Sequence, residues 1–259
     1  MPDKIEEEES SEAEIIAHDM LNVSVQYRSR VDLLTALCAV AFTSGFDNRS
    51  SLPEVLTDQK YLNGFTGKSF RHVLNNLCRM KGGVYLEVGT FCGSSLICAL
   101  YQNQDKLKKA YAIDNWSEFR EHCDPAERFN LHRQAYIPSW TDEKLKVIEA
   151  DCFSLDLSEI DEKVDIYFYD GAHKYEDHKR AFTYFNDVLN DVFIAVVDDW
   201  EKKKVREATQ EAFNELNYTV IGKWEVTPPA GRKNKMERPD LHWWHGMAMF
   251  LVRKPPVSE

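Results

Sequence analysis

The chain has no apolar run near the ~18 residues that a membrane-spanning helix needs. Its amino terminus is a string of acids and serines, unlike the basic and then apolar form of a signal peptide. Both absences lead to the expectation of a soluble, cytoplasmic protein with no membrane partner. Basic charge is scarce too: 32 Lys and Arg stand against 43 Asp and Glu, a net charge of −11. A protein that coats nucleic acid shows the opposite balance, so no nucleic-acid partner is expected. The six cysteines (Cys38, Cys78, Cys92, Cys98, Cys123, Cys152) include no C-x-x-C pair and lie mostly in apolar settings. They read as reduced core thiols rather than a disulfide framework. No G-x-G-x-x-G occurs, which removes the standard dinucleotide fingerprint.

What is present is an alternation. At 259 residues the chain suits one α/β domain with additions. Residues 1–12 hold too little apolar surface to order themselves and are expected to form a disordered acidic tail. Residues 13–82 read as a helical extension, with Ile15, Ile16, Met20, Val31, Leu33, Leu34, Leu37 and Ala41 at helix spacing and a second amphipathic stretch over Ser69–Arg79. Such an extension suits a lid or a contact in a homo-oligomer. From residue 83 to 259 strands are expected over Val84–Val88, Ala110–Ile113, Lys146–Ile148, Val164–Tyr169 and Val192–Val197. Helices fill the gaps over Ser94–Tyr101, part of Trp116–Ala135, Glu176–Leu189 and Lys202–Leu216. Continuous apolar strands between helices imply a doubly wound, mostly parallel sheet. The last two strands, Thr219–Val226 and Met247–Val252, have no helix between them and are expected to pair antiparallel.

The segment Gly83–Ser95, GVYLEVGTFCGSS, carries the most information. A buried strand reaches Glu87, turns through Gly89 and Gly93, and enters a helix at Ser94-Ser95. The missing Cβ atoms let a ligand approach the backbone, and the helix start offers unpaired N–H groups. Phe91 stands where a dinucleotide fingerprint has its second glycine, and no Gly-Lys-Ser/Thr follows the turn. Acids recur at the other strand ends: Asp114, Asp151, Asp170 and Asp198-Asp199. In an open parallel sheet those ends line one rim, where ligands bind.

The pattern E-x-G-x-x-x-G over Glu87–Gly93 resembles the first motif of class I S-adenosylmethionine-dependent methyltransferases, whose fold is Rossmann-like with an antiparallel final strand. D-G-x-H-x-Y-E over Asp170–Glu176, followed by V-D-D over Val197–Asp199, resembles the macrocin-type O-methyltransferase group. More distantly, the turn Gly89–Ser95 is similar to that of catechol O-methyltransferases. The resemblance covers roughly residues 83–216. It implies S-adenosylmethionine as cofactor: Gly89 and Gly93 give it room, and Thr90, Ser94 and Ser95 face its carboxylate, unless the serines merely cap the helix. Asp114 is placed for the ribose hydroxyls, and Asp151-Cys152 for the adenine. Asn115-Trp116 either stacks on that adenine or fills the core. The relatives hold a divalent cation, usually magnesium, with an acid after the fourth strand and an acid pair after the fifth. Carried over, those positions are Asp170, Asp198 and Asp199.

Three groups compete for the role of base: His173, where catechol enzymes have lysine, its neighbour Lys174, and Asp198. The stretch Thr227–Gly246 lies outside the resemblance. Its Arg232, Lys233, Lys235 and Arg238 stand near His242, Trp243, Trp244 and His245. That loop either grips an anionic, sugar-like or aromatic acceptor or packs its tryptophans on the sheet edge. The expected activity is metal-assisted O-methylation of a small hydroxylated molecule. The rivals are a metal-independent N- or C-methyltransferase and a cofactor-binding protein without turnover.

Overall fold

The computed structural model describes residues 29–121, 123–227 and 242–256. The acidic tail, the stretch 13–28 and the four basic residues of the 227–246 loop lie outside them. Contacts divide the chain into two units, Met1–Ala36 and Leu37–Glu259. Among the described residues, the first holds only the opening turns of α1 and Ser29 before it.

The second unit is built on β1 (Val84–Val88), β2 (Lys109–Asp114), β3 (Leu145–Glu149), β4 (Val164–Tyr169), β5 (Leu189–Asp198), β6 (Thr219–Val226) and β7 (Met247–Arg253). All expected strands form, with ends shifted by at most three residues. They make one sheet in the order β3-β2-β1-β4-β5-β7-β6. Strand β7 runs antiparallel to both its neighbours, β5 and β6, and the rest are parallel. The helices are α1 (Arg30–Asp47), α2 (Glu54–Thr57), α3 (Lys68–Leu77), α4 (Ser94–Leu100), α5 (Pro125–Tyr136), α6 (Tyr175–Phe185) and α7 (Lys203–Glu215). Helix α5 starts late because Asp124 caps it, accepting from Glu127 N, and Pro125 takes its first turn. No helix among the described residues is long and apolar enough to cross a membrane.

Strand alternation sorts side chains between two faces. Leu86, Val88, Tyr167, Tyr169, Phe193, Ala195 and Val197 pack with Phe182 and Phe185 of α6 and Phe213 of α7. The other face carries Tyr85, Glu87 and Phe168, and Phe70 of α3 meets the Phe168 ring edge-on at 5.3 Å. Register then decides which acids meet. Glu87 pairs with Phe168, and Tyr169 with Val197, so Asp170 arrives beside Asp198 at the rim. This is the face α3 covers, and the acids collect at its carboxyl edge.

Residues 54–67 wrap over the start of α4 and are held by a buried arginine. Arg71 donates from Nε to Thr66 O (2.9 Å), from Nη1 to Leu56 O (2.8 Å) and from Nη2 to Leu62 O (3.2 Å). A planar guanidinium fork suits three carbonyls on one strap better than a lysine would. Burial pulls its pKa down, opposed by the field of Asp58 among others.

Candidate active site

The turn after β1 is shaped by its neighbours. Gly89 has φ 92°, and a Cβ there would lie 2.1 Å from the carbonyl oxygen of Asp170. Gly93 has φ 84°, and its Cβ would meet the Phe129 ring at 2.6 Å. Both glycines are required by close protein contacts as well as by backbone conformation. Beneath the turn Glu87 is fully buried. It accepts from Tyr85 Oη at 2.6 Å and Ser95 Oγ at 2.9 Å, and burial pushes its pKa up to about 8. Glu87 therefore supports the turn from below. The Ser94 hydroxyl lies 3.4 Å from Thr66 Oγ1, and neither serine caps α4. The capping alternative for the serine pair is thereby removed.

Asp114, at the end of β2, holds the turn in place. Its Oδ2 accepts from Phe91 N and its Oδ1 from Trp116 N, each at 2.7 Å. Each oxygen keeps a further lone pair for a hydroxyl. Thr90 Oγ1 is buried with no partner. An orphaned hydroxyl beside a carboxylate and a turn of exposed N–H groups suits a polar ligand such as the cofactor. Trp116 stacks on Phe129 at 5.9 Å and donates from Nε1 to Phe91 O. Asn115 is exposed and closes its own turn by accepting from Ser117 N and Oγ. Asp151 is exposed and accepts from Phe153 N at 2.8 Å; Cys152 beside it is half-buried, and burial pushes its thiol pKa up to about 12.

Three phenylalanines at this turn escaped the sequence reading. Phe91 stacks on Phe65 at 5.4 Å and meets Phe119 edge-on at 5.5 Å, and Phe65 and Phe119 lie 5.3 Å apart. Phe65 and Phe119 are both exposed. Their positions, 26 and 28 residues either side of Phe91, give no local signal; only Phe91 in place of a glycine hints at it.

The second cluster lies where β4 and β5 end. Asp170 and Asp198 face each other there, with a carboxylate oxygen of each within 4.8 Å of the other. Burial and the charge of Asp198 push Asp170 well above the carboxylate range, and burial with the charge of Asp199 lifts Asp198 to about 7. His173 joins them: one atom each of Asp170, His173 and Asp198 lie within 4.8 Å of one another. Asp199 stands apart from that trio. Its φ of 54° is left-handed, and its carboxylate meets Lys202 Nζ and lies 3.2 Å from His173 Nε2. That nitrogen has no hydrogen bond. Burial holds the His173 pKa down near 4, so the imidazole is neutral at pH 7. Behind it, 6.5 Å away ring to ring, sits the buried His178, bonded through Nε2 to Thr209. His178 was also missed; it lies two residues beyond the motif Asp170–Glu176.

Strands β6 and β7 meet β5 with Val226 opposite Met247 and Met247 opposite Asp198. The loop between them thus leaves from the acid rim, as its topology requires. Its described end packs inward. Trp243 lies against Phe42 (5.8 Å) and Phe46 (4.8 Å), and His242 O accepts from Ser69 N at 2.8 Å. His245 pairs with Glu201 at the rim.

Residues 86–200, from β1 through the end of β5, match the family model described as a methyltransferase domain. That match covers less than half of the chain. Among solved structures, the S-adenosylmethionine-dependent O-methyltransferase of Thermotoga maritima is similar at a TM-score of 0.52 and 17% identity, over 79% of this chain and 73% of that one. A protein of Pyrococcus horikoshii described as a candidate RNA methyltransferase reaches 0.50 at 16% identity, over 90% of this chain and 100% of its own. At these identities the likeness speaks for the fold alone. No curated protein matches the chain.

Proposed function

We propose that the protein transfers the methyl group of S-adenosylmethionine to a hydroxyl oxygen of a small molecule, assisted by a divalent cation such as magnesium. The observation that carries this reading is the Asp170–Asp198 pair beside a neutral His173 whose Nε2 makes no hydrogen bond and lies 3.2 Å from Asp199, one strand away from the Gly89–Gly93 turn. Asp114 receives the ribose hydroxyls, and Thr90 Oγ1 finds its missing partner in the cofactor. The hard oxygens of Asp170 and Asp198, with Asp199 as third acid, suit magnesium, which when bound polarises the acceptor hydroxyl. His173 takes the hydroxyl proton at Nε2, and Asp199 balances the imidazolium so formed. Bound there, S-adenosylmethionine would supply the sulfonium methyl, and the chain's share of the rate would come mostly from positioning. A net charge of −11 supports a small acceptor over a nucleic acid.

A rival arrangement has its own observation: His173, rather than Asp199, shares the 4.8 Å cluster and would serve as a metal ligand. An imidazole in the donor set favours manganese, iron or zinc over magnesium. Calorimetric titration of S-adenosylmethionine, with magnesium and again with chelator, tests the whole reading. Binding in both, with affinity or heat that changes with the metal, is expected. Combined Asp170→Asn and Asp198→Asn should erase the metal effect and leave cofactor binding. Loss of that effect in His173→Gln but not Asp199→Asn selects the rival. No binding under either condition ends the methyltransferase reading.

A further inference from the structure

The turn 89–93 and the segment 115–124 that follows β2 face each other along a seam. Phe91 N donates to Asp114, Trp116 Nε1 donates back to Phe91 O at 3.0 Å, and the Phe91 and Phe119 rings meet at 5.5 Å. At the far end of the same seam the sulfurs of Cys92 and Cys123 lie 3.6 Å apart, although 31 residues separate them in the chain. Cys92 is buried and Cys123 half-buried. A disulfide requires the sulfurs to close by about 1.5 Å, the scale of a side-chain rotation with a small backbone shift.

We infer that Cys92 and Cys123 form an oxidisable dithiol whose disulfide ties the segment after β2 to the turn, with hydrogen peroxide as the oxidant. The chemistry balances in two steps. The more accessible Cys123, as thiolate, attacks a peroxide oxygen; the O–O bond breaks, and a sulfenic acid and one water result. The sulfur of Cys92 then attacks the sulfenic sulfur; the S–S bond forms, the S–O bond breaks, and the hydroxyl departs as water with the Cys92 proton. Two thiols are oxidised and one peroxide is reduced to two waters. Burial pushes the Cys92 thiol up to about 12, so it keeps its proton and leaves the first attack to Cys123. A small external dithiol reverses the bond.

The bond has a second consequence, which rests on the cofactor reading. Cys92 follows the residue whose N–H Asp114 holds, and its own carbonyl lies 2.9 Å from His132 Nδ1. Drawing its sulfur toward Cys123 displaces the turn, so the oxidised protein binds S-adenosylhomocysteine at least tenfold more weakly, and dithiothreitol restores it.

The test treats the full chain with hydrogen peroxide, counts thiols and maps peptides by mass. Loss of two thiols per chain and a Cys92–Cys123 peptide cross-link, both reversed by dithiothreitol, are expected. Cys92→Ser and Cys123→Ser should each lose the cross-link, and Cys123→Ser carries the control alone if the buried substitution does not fold. Cys123 over-oxidised to sulfinic acid with Cys92 still a free thiol would overturn the dithiol. Equal affinity of oxidised and reduced protein for S-adenosylhomocysteine would overturn the coupling. A reduced protein that fails to bind that ligand condemns the cofactor reading and leaves the cross-link to be judged on its peptides.

Discussion

Both oxygens of Asp114 already hold backbone N–H groups, at Phe91 and at Trp116, while each retains a free lone pair. Asp114→Ala therefore removes a ligand contact and loosens the turn together. Its cofactor affinity should fall by about 1.5–3 kcal/mol in calorimetry, and an unchanged affinity would take Asp114 out of the site. Glu87 makes a prediction of a different kind. Its folded pKa is raised from 4.5 to about 8, chiefly by burial. The folded state thus holds the proton more tightly than the unfolded chain does. Stability falls as pH rises from about 4.5 to about 8 and levels off above. Glu87→Gln removes that slope, so its melting temperature should gain on the wild type between about pH 5 and about pH 9. A gap that stays constant across that range would show that Glu87 titrates normally. Residue roles of this sort were legible only in outline. Acids at strand ends could be read off the chain, but that Glu87 accepts from Tyr85 and Ser95 follows from packing that a motif does not contain.

At the scale of elements, the strands β1, β4 and β7 were legible because each is a continuous apolar run buried on both faces. The four residues of α2 are too few to show a period. The glycines marked the turn correctly, but their spacing could not reveal that Asp170 O and the Phe129 ring fill the space a Cβ would take. Asp199 follows Asp198 in sequence and reads as its twin; a left-handed φ sends its carboxylate to Lys202 and His173 instead. The β6–β7 loop left two readings open, and its described end follows the structural one: Trp243 packs on Phe42 and Phe46. Trp243→Ala should cost about 3–5 kcal/mol of stability in urea denaturation while changing cofactor affinity less than twofold. A large affinity loss with little destabilisation would return Trp243 to the ligand side.

For the molecule as a whole, the sheet order places the Gly89–Gly93 turn and the acid cluster on adjacent strands, β1 and β4–β5, with the helical strap 54–67 over the former. It also sets a timetable for synthesis. Strand β6 pairs with β7, and β7 leaves the ribosome after the other strands of this sheet. Until it does, the apolar edge of β5 stays open and β6 has no bonding partner. A nascent chain paused before Met247 is therefore a template for aggregation, because its central sheet presents an unpaired edge. Stopping the chain at Gly246 should shift it from the soluble to the insoluble fraction on expression, even though residues 86–200 remain intact. The proper completion of this fold depends on its final strand, far along the chain from the turn that would receive the cofactor.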